Sequence, residues 1–169
     1  MTGSERRDQI QAALSTSSTA LSATTLAEKF GVSRQTVVGD ISLLRANGLK
    51  VVATLRGYQL EATDQPTALL VCRHFADQAA DEMQRIVAAG GVIKDVAVEH
   101  PLYGRLRGEL EISSSGDVNL FIGRLKQRRG HLLSKLNDWV HTHTIGYQTA
   151  DQLAQVRQSI RAAGYLYEN

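Results

Sequence analysis

The four residues Phe30-Gly31-Val32-Ser33 constrain this chain more than any other stretch. Gly31 can take the left-handed conformation that closes a short helix, and Ser33 is a good N-cap for the next one. On either side, Leu26, Ala27, Phe30, Val32, Val37, Ile41 and Leu44 recur at helical spacing and predict an apolar face that locks two helices together. The chain therefore reads helix over about Glu5–Leu14, polar loop, short helix over about Thr24–Phe30, tight turn, and second helix over about Arg34–Asn47. Two helices joined this way make a helix-turn-helix, in which the first turn of the second helix enters the DNA major groove. Ser33, Arg34, Gln35 and Thr36 occupy that turn. Arginine can pair with guanine, glutamine with adenine, and hydroxyls can bond a phosphate. Val51–Leu60 reads as a small hairpin with Arg56 at its tip, in the place of a wing that meets a phosphate. The alternative is a helical hairpin used for protein contacts, which would not need the basic wing.

Asp64-Gln65-Pro66 marks the best boundary, since proline lacks a donor and restricts the residue before it. Beyond it, strands and helices alternate. Leu69–Arg73 reads as a strand, Asp77–Ala89 as a helix, and Val92–Val98 as a strand broken by His100-Pro101. Leu106–Ile112 is a half-exposed strand, followed by a helix from Asp117 to about Gln127. A strand over Val140–Ile145, a helix over Ala150–Ala163 and a terminal strand over Tyr165–Tyr167 complete the series. The expected class is α+β: a winged helix-turn-helix domain over residues 1–63 and an α/β sandwich domain over residues 66–169.

His141-Thr142-His143 lies on the β-branched run Val140–Ile145. Strand side chains alternate, so both imidazoles project from one face, about 6–7 Å apart at Cα. One divalent cation can be shared at that spacing. His74 ends the first strand of the same domain, and Glu82 follows in the next helix. In a single helix the eight-residue rise would part them by about 12 Å. Phe75 and Ala76 instead provide a turn that lets the two converge. Neutral imidazole is the commonest transition-metal ligand and a carboxylate can complete the shell, so His74, Glu82, His141 and His143 form a candidate metal site. Cys72 shares strand parity with His74 and reads as a buried thiol in preference to a ligand; His131 reads as a surface loop residue.

Composition adds exclusions. The chain has 169 residues, a single cysteine and a formal net charge of +2. No apolar run approaches the roughly 20 residues of a membrane helix, and MTGSERRDQIQ lacks a signal-peptide core, so a cytoplasmic protein without membrane partners is expected. The charge is uneven: residues 1–60 hold seven Lys/Arg against four Asp/Glu, whereas twelve face eleven from Thr67 onward. The excess at the N-terminal end suits DNA contact.

VSRQTVVGDISLLRANG, VVATLRGYQL, GGVIKDVAVEHPLYG and LSKLNDWVHTHTI together resemble the NiaR-type, nicotinate-responsive transcriptional repressors, over almost the whole chain. The resemblance implies a homodimer with a winged helix-turn-helix joined to a three-histidine domain. It implies one divalent transition metal per chain (Ni, Zn, Fe or Mn) on His74, Glu82, His141 and His143. It further implies nicotinic acid as co-repressor, double-stranded operator DNA as partner, and control of NAD biosynthesis or niacin uptake genes. His100, Tyr103 and Trp139 are the candidate effector contacts. Where the family pattern carries Thr-x-Gly before the histidine pair, this chain has Asn137-Asp138-Trp139, and Trp139 is expected to fill or reshape an effector pocket. Two other readings remain: a metallohydrolase with an accessory DNA-binding domain, and a winged-helix regulator whose C-terminal domain only dimerises it.

Overall fold

The structure, a computed structural model, describes residues 1–62 and 64–168. Thr63, where the first domain is expected to end, and Asn169 lie outside the described residues. The chain divides into two compact units, Met1–Thr63 and Asp64–Asn169.

In the first unit, local sequence sets each helix end. Helix α1 (Gly3–Thr16) opens on a capping box: Glu5 N–H donates to Thr2 Oγ1 at 3.2 Å, and Thr2 N–H donates to the Glu5 carboxylate at 2.7 Å. Helix α2 (Ala23–Phe30) starts at Ser22 and ends on Gly31, which adopts φ 63°. Helix α3 (Arg34–Ala46) starts at Ser33, whose hydroxyl accepts from Thr36 N–H at 3.0 Å. Strands β1 (Val51–Thr54) and β2 (Gly57–Leu60) form the antiparallel hairpin, with Arg56 in the exposed turn.

Ile10, Leu14, Leu26, Ala27, Val37, Ile41, Leu44 and Val51 make one buried cluster from all three helices and the hairpin. Each buried Leu or Ile contributes about 1.5–3 kcal/mol against exposure. The segment expected as polar loop also supplies an isolated bridge to the hairpin: Leu21 and Tyr58 exchange both backbone hydrogen bonds at 2.8 Å. A side chain at Gly57 would collide with the Leu21 carbonyl, so a glycine is required there. Among the described residues of this unit one charged side chain is buried. Asp40 of α3 is 3% exposed and accepts from Arg6 Nε at 2.6 Å, with Arg7 at 3.5 Å, which fastens α3 to α1.

The second unit is a four-stranded antiparallel sheet in the order β3-β6-β4-β5, built from β3 (Thr67–Arg73), β4 (Val92–His100), β5 (Gly104–Ile112) and β6 (Val140–Gly146). Helices α4 (Ala79–Ala88), α5 (Ser115–Gln127) and α6 (Ala150–Ala162) accompany it, α4 packing against both others. Leu70, Cys72, His141, His143 and Ile145 are buried, whereas the alternate residues Leu69 and Val71 are 57% and 37% exposed.

Several elements differ from expectation: β4 runs on through His100, and β5 begins already at Gly104, because the two pair up to the turn between them. The helix expected from Asp77 begins at Ala79, preceded by a 3₁₀ turn over Ala76–Gln78, because Gln78 turns back to accept from Phe75 N–H at 3.0 Å. The expected terminal strand shrinks to a single bridge between Leu166 and Cys72. Gly164, at φ 80°, follows α6, and the pairing beyond it consists of Arg73 N–H donating to Tyr165 O at 2.8 Å and Tyr167 N–H donating to Val71 O at 2.9 Å.

Candidate metal centre and nucleic-acid interface

Strand register and helix phase bring the four expected ligands together. In the β3–β6 ladder Leu70 faces His143 and Cys72 faces His141, so both β6 imidazoles rise from the inner face and His74 follows one step past the ladder's end. On α4, Ala79, Glu82, Met83 and Ile86 are the buried positions, so Glu82 lies within the apolar stripe and is 1% exposed. Its place in the first turn of α4 also favours its negative charge.

The Glu82 carboxylate sits among all three rings. Oε2 is 2.5 Å from His74 Nε2 and 2.9 Å from His141 Nε2, and Oε1 is 2.6 Å from His143 Nε2. The opposite nitrogen of each ring is held by a main-chain carbonyl. His74 Nδ1–H donates to Phe75 O at 2.8 Å, His141 Nδ1–H to Trp139 O at 2.9 Å, and His143 Nδ1–H to Asp95 O at 2.8 Å. A neutral imidazole has one N–H, and here it is spent on a carbonyl, so each Nε2 presents a lone pair toward a carboxylate. His74 Nε2, despite its closeness to Glu82, lies off the direction of a hydrogen bond and has no hydrogen-bond partner.

Four electron-pair donors facing one another repel unless protons or a cation come between them. Burial works against ionising Glu82, yet with protons between the groups the facing His143 and the hydrogen bonds from the His141 and His143 rings outweigh it and hold its carboxyl well below the usual range. Burial likewise opposes charge on His74 and His143, and Glu82 outweighs it, so both are raised. The donor set thus fits a divalent transition metal: three oriented imidazole nitrogens and one carboxylate, with their far sides fixed as in metal-binding histidines generally. Cys72 Sγ, a Glu82 oxygen and a His141 nitrogen also lie within 4.8 Å of one another. Burial pushes the Cys72 thiol up, and Glu82 adds to this, so it stays a neutral thiol.

A cavity of about 440 Å³ opens beside the cluster. His74, Glu82, His141 and His143 form one wall, and Leu106, Leu110, Phe121, Leu125 and Leu133 line much of the rest. Arg107 reaches it while donating to Asp95 at 2.6 Å, and exposed His131 stands at its lining.

None of the three expected effector contacts lines this cavity. His100 Nδ1 accepts from the N–H groups of Leu102 and Tyr103 at 3.1 and 3.2 Å, so it caps the β4–β5 turn; Tyr103 is 70% exposed. The Trp139 ring packs edge-on against Phe75 at 5.9 Å, outside this cavity and on a separate cleft that it lines with His74, and its carbonyl accepts from His141. Asp138 and Trp139 both have positive φ, 49° and 68°, which turns the chain so that this carbonyl meets His141.

Asp95 was not singled out from the sequence. It is 3% exposed, its carbonyl anchors His143, and its carboxylate accepts from Thr144 N–H and Oγ1–H at 3.0 Å each. The β4–β6 register shifts between Ile93 and Ala97, and Asp95 satisfies the Thr144 N–H there in place of the ladder. Tyr165 was missed as well: its ring packs on His74 at 5.3 Å and its hydroxyl donates to Asp81 at 2.7 Å.

In the first unit, Arg34 and Gln35 are exposed at the start of α3 and Arg56 is exposed at the hairpin turn. The Ser33 and Thr36 hydroxyls lie 2.8 Å apart and bond one another, so their first role is to cap α3.

Comparison with known proteins agrees with both units. Residues 6–59 match an HTH domain family and residues 67–169 match the 3H domain family. The chain is 34% identical to transcription repressor NadR of Bacillus subtilis, over 99% of this chain and 96% of that protein. It is 35% identical to the probable transcription repressor NiaR of Thermotoga maritima, over 97% of this chain and 94% of that protein. An HTH domain and a 3H domain in this order, matched along nearly the full length of two repressors, place the chain in the NadR/NiaR family of transcription repressors.

Proposed function

We propose that this repressor is metal-dependent and that nicotinic acid is its co-repressor, controlling genes of NAD biosynthesis or niacin uptake. Residues 1–63 serve as the DNA-binding domain, and residues 66–169 as the metal- and effector-binding domain, through which two chains pair. His74, Glu82, His141 and His143 hold one divalent transition metal, Ni, Zn, Fe or Mn. The metal supplies a Lewis-acidic positive charge at the cavity wall, which attracts a carboxylate. The observation that carries this reading is that all three Nδ1–H groups are spent on carbonyls, which aims three Nε2 lone pairs and a carboxylate at one another.

The apolar lining of the adjacent cavity suits the ring of a small aromatic acid. Arg34, Gln35 and Arg56 read and hold operator DNA, with the Ser33 and Thr36 caps fixing the start of α3. In a homodimer two such helices reach half-sites about 34 Å apart. Nicotinic acid can shift the protein toward DNA binding only by binding that geometry more tightly than the alternative.

The test combines elemental analysis with a DNA titration, run with and without nicotinic acid, on the wild type and a His141→Ala/His143→Ala variant. The wild type is expected to carry one metal per chain and to tighten on DNA when nicotinic acid is added. The variant is expected to lose both properties while residues 1–63 stay folded. Full metal occupancy in the variant would refute the site, and a wild type indifferent to nicotinic acid would refute the effector.

A further inference from the structure

We infer that Gly39 is where α3 comes closest to DNA, and that the base-reading surface runs past the first turn along Gln35, Val38, Gly39 and Ser42. Nothing among the described residues accounts for a glycine at this position. It lies in the interior of α3 and is exposed, its φ is not positive, and an added Cβ would meet no atom within 4 Å. Gly31 and Gly48, on either side of α3, both have positive φ and are explained by the turns they make. Glycine in a helix interior is less favourable than alanine, so Gly39 weakens α3 with no return inside the fold. A close external surface accounts for it, because only a glycine leaves room for a base edge or sugar at helix-backbone distance.

The neighbouring side chains agree. Residues three and four apart share a helix face, so Gln35, Val38, Gly39, Ser42 and Ala46 lie together. The Ser42 hydroxyl is exposed but donates to the Val38 carbonyl at 3.0 Å, so it lies along the helix instead of projecting from it. The resulting surface is shallow along its length and lets α3 sit deep in a groove. Val38 rises beside Gly39 and is 41% exposed, an apolar side chain left in water on the face turned outward. Its complement on DNA is the thymine methyl group, the one apolar feature of the major-groove edge.

The experiment uses the full chain and a duplex that the wild type selects from a randomised pool, with a scrambled duplex for comparison. Gly39→Ala and Gly39→Leu should keep or raise the unfolding midpoint, since both residues favour helix, yet weaken the selected duplex about 10-fold and at least 100-fold. Gly123 of α5 is another helix-interior glycine with open space, so Gly123→Ala is the control and should leave DNA affinity unchanged. Wild-type affinity for the selected duplex should fall several-fold when uracil replaces one or two particular thymines, and Val38→Ala should be insensitive to that exchange. Undiminished binding by Gly39→Leu overturns the close approach. Equal loss on the scrambled duplex overturns the base-reading role. A uracil effect of the same size in Val38→Ala overturns the methyl contact.

Discussion

The Asp95 carbonyl accepts the His143 Nδ1–H at 2.8 Å while the Asp95 carboxylate accepts the N–H of Thr144, the next residue along β6. One residue of β4 therefore fixes both the ring orientation of His143 and the strand that carries it. Asp95 also accepts from Arg107 at 2.6 Å, which links this anchor to the cavity lining.

Asp95→Ala keeps the carbonyl and removes the strand anchor. Loss of a group that orients a metal-binding histidine typically lowers metal affinity about 10–100-fold. The same fall is expected here, read by competition with a chelating dye. Unchanged affinity would mean that the β4–β6 ladder alone holds His143 in place.

The metal-free protein should show a stability maximum in the acid-to-neutral range. The depressed Glu82 carboxyl stabilises the fold above its ordinary value near 4.5 and loses that contribution as pH falls through its lower folded value. The raised His74 and His143 stabilise the fold below their ordinary value near 6.5 and lose that contribution as pH rises through their higher folded values. Thermal unfolding of chelator-treated protein should therefore decline on both sides of the window between about 4.5 and 6.5. Glu82→Gln should flatten the curve, and a wild-type midpoint that keeps climbing to alkaline pH would contradict the pairing.

Cys72 should resist thiol reagents in the native state, since it is fully buried and burial keeps its thiol protonated. Labelling is expected only as fast as the second unit opens, and quickly in denaturant. Cys72→Ala should retain one metal per chain; a halved metal content would add the thiol to the ligand set.

Trp139→Gly and Leu106→Trp should have opposite consequences. The Trp139 ring lies outside the cavity and glycine suits its φ of 68°, so that exchange should leave metal content and nicotinic acid affinity within about threefold of the wild type. Leu106 lines the cavity, and tryptophan there should block nicotinic acid while sparing the metal. Calorimetric titration of both variants separates the cases; lost effector binding in Trp139→Gly would return that ring to the pocket.

Arg34→Ala should cost about 1–3 kcal/mol on the operator if the side chain pairs with a base. Titrations against operator and unrelated duplexes at one salt concentration decide the matter, because equal weakening on both assigns Arg34 to phosphate.

Helix ends and turns were readable before any coordinates because their causes are local. Ser33 caps its own helix and Gly31 closes the one before it, within four residues of sequence. The His74–Glu82 convergence was readable for a similar reason, as a strand, a turn and a helix in succession. Asp95 was hidden because the His143 ring and Thr144 N–H that it anchors lie 48 and 49 residues away and meet it only through a register shift. The cavity was hidden because β5, α5 and the segment around Leu133 join the wall of three histidines and Glu82 only after β6 takes its place in the sheet. His100 and Tyr103 looked available for a ligand, whereas the turn after β4 uses the His100 ring to satisfy its own N–H groups.

The place of β6 between β3 and β4 bears on the birth of the protein at the ribosome. Among the described residues β3 finds its only ladder partner in β6, and β4 joins β3 only through it, so the sheet stays in two pieces until Val140–Gly146 has emerged. The first unit is complete long before then and can fold while synthesis continues. Each new molecule thus acquires its first unit before His141 and His143, two of the three histidines around Glu82, have been made, and on the function proposed above a transcript cut short in between would yield a DNA reader without its sensor.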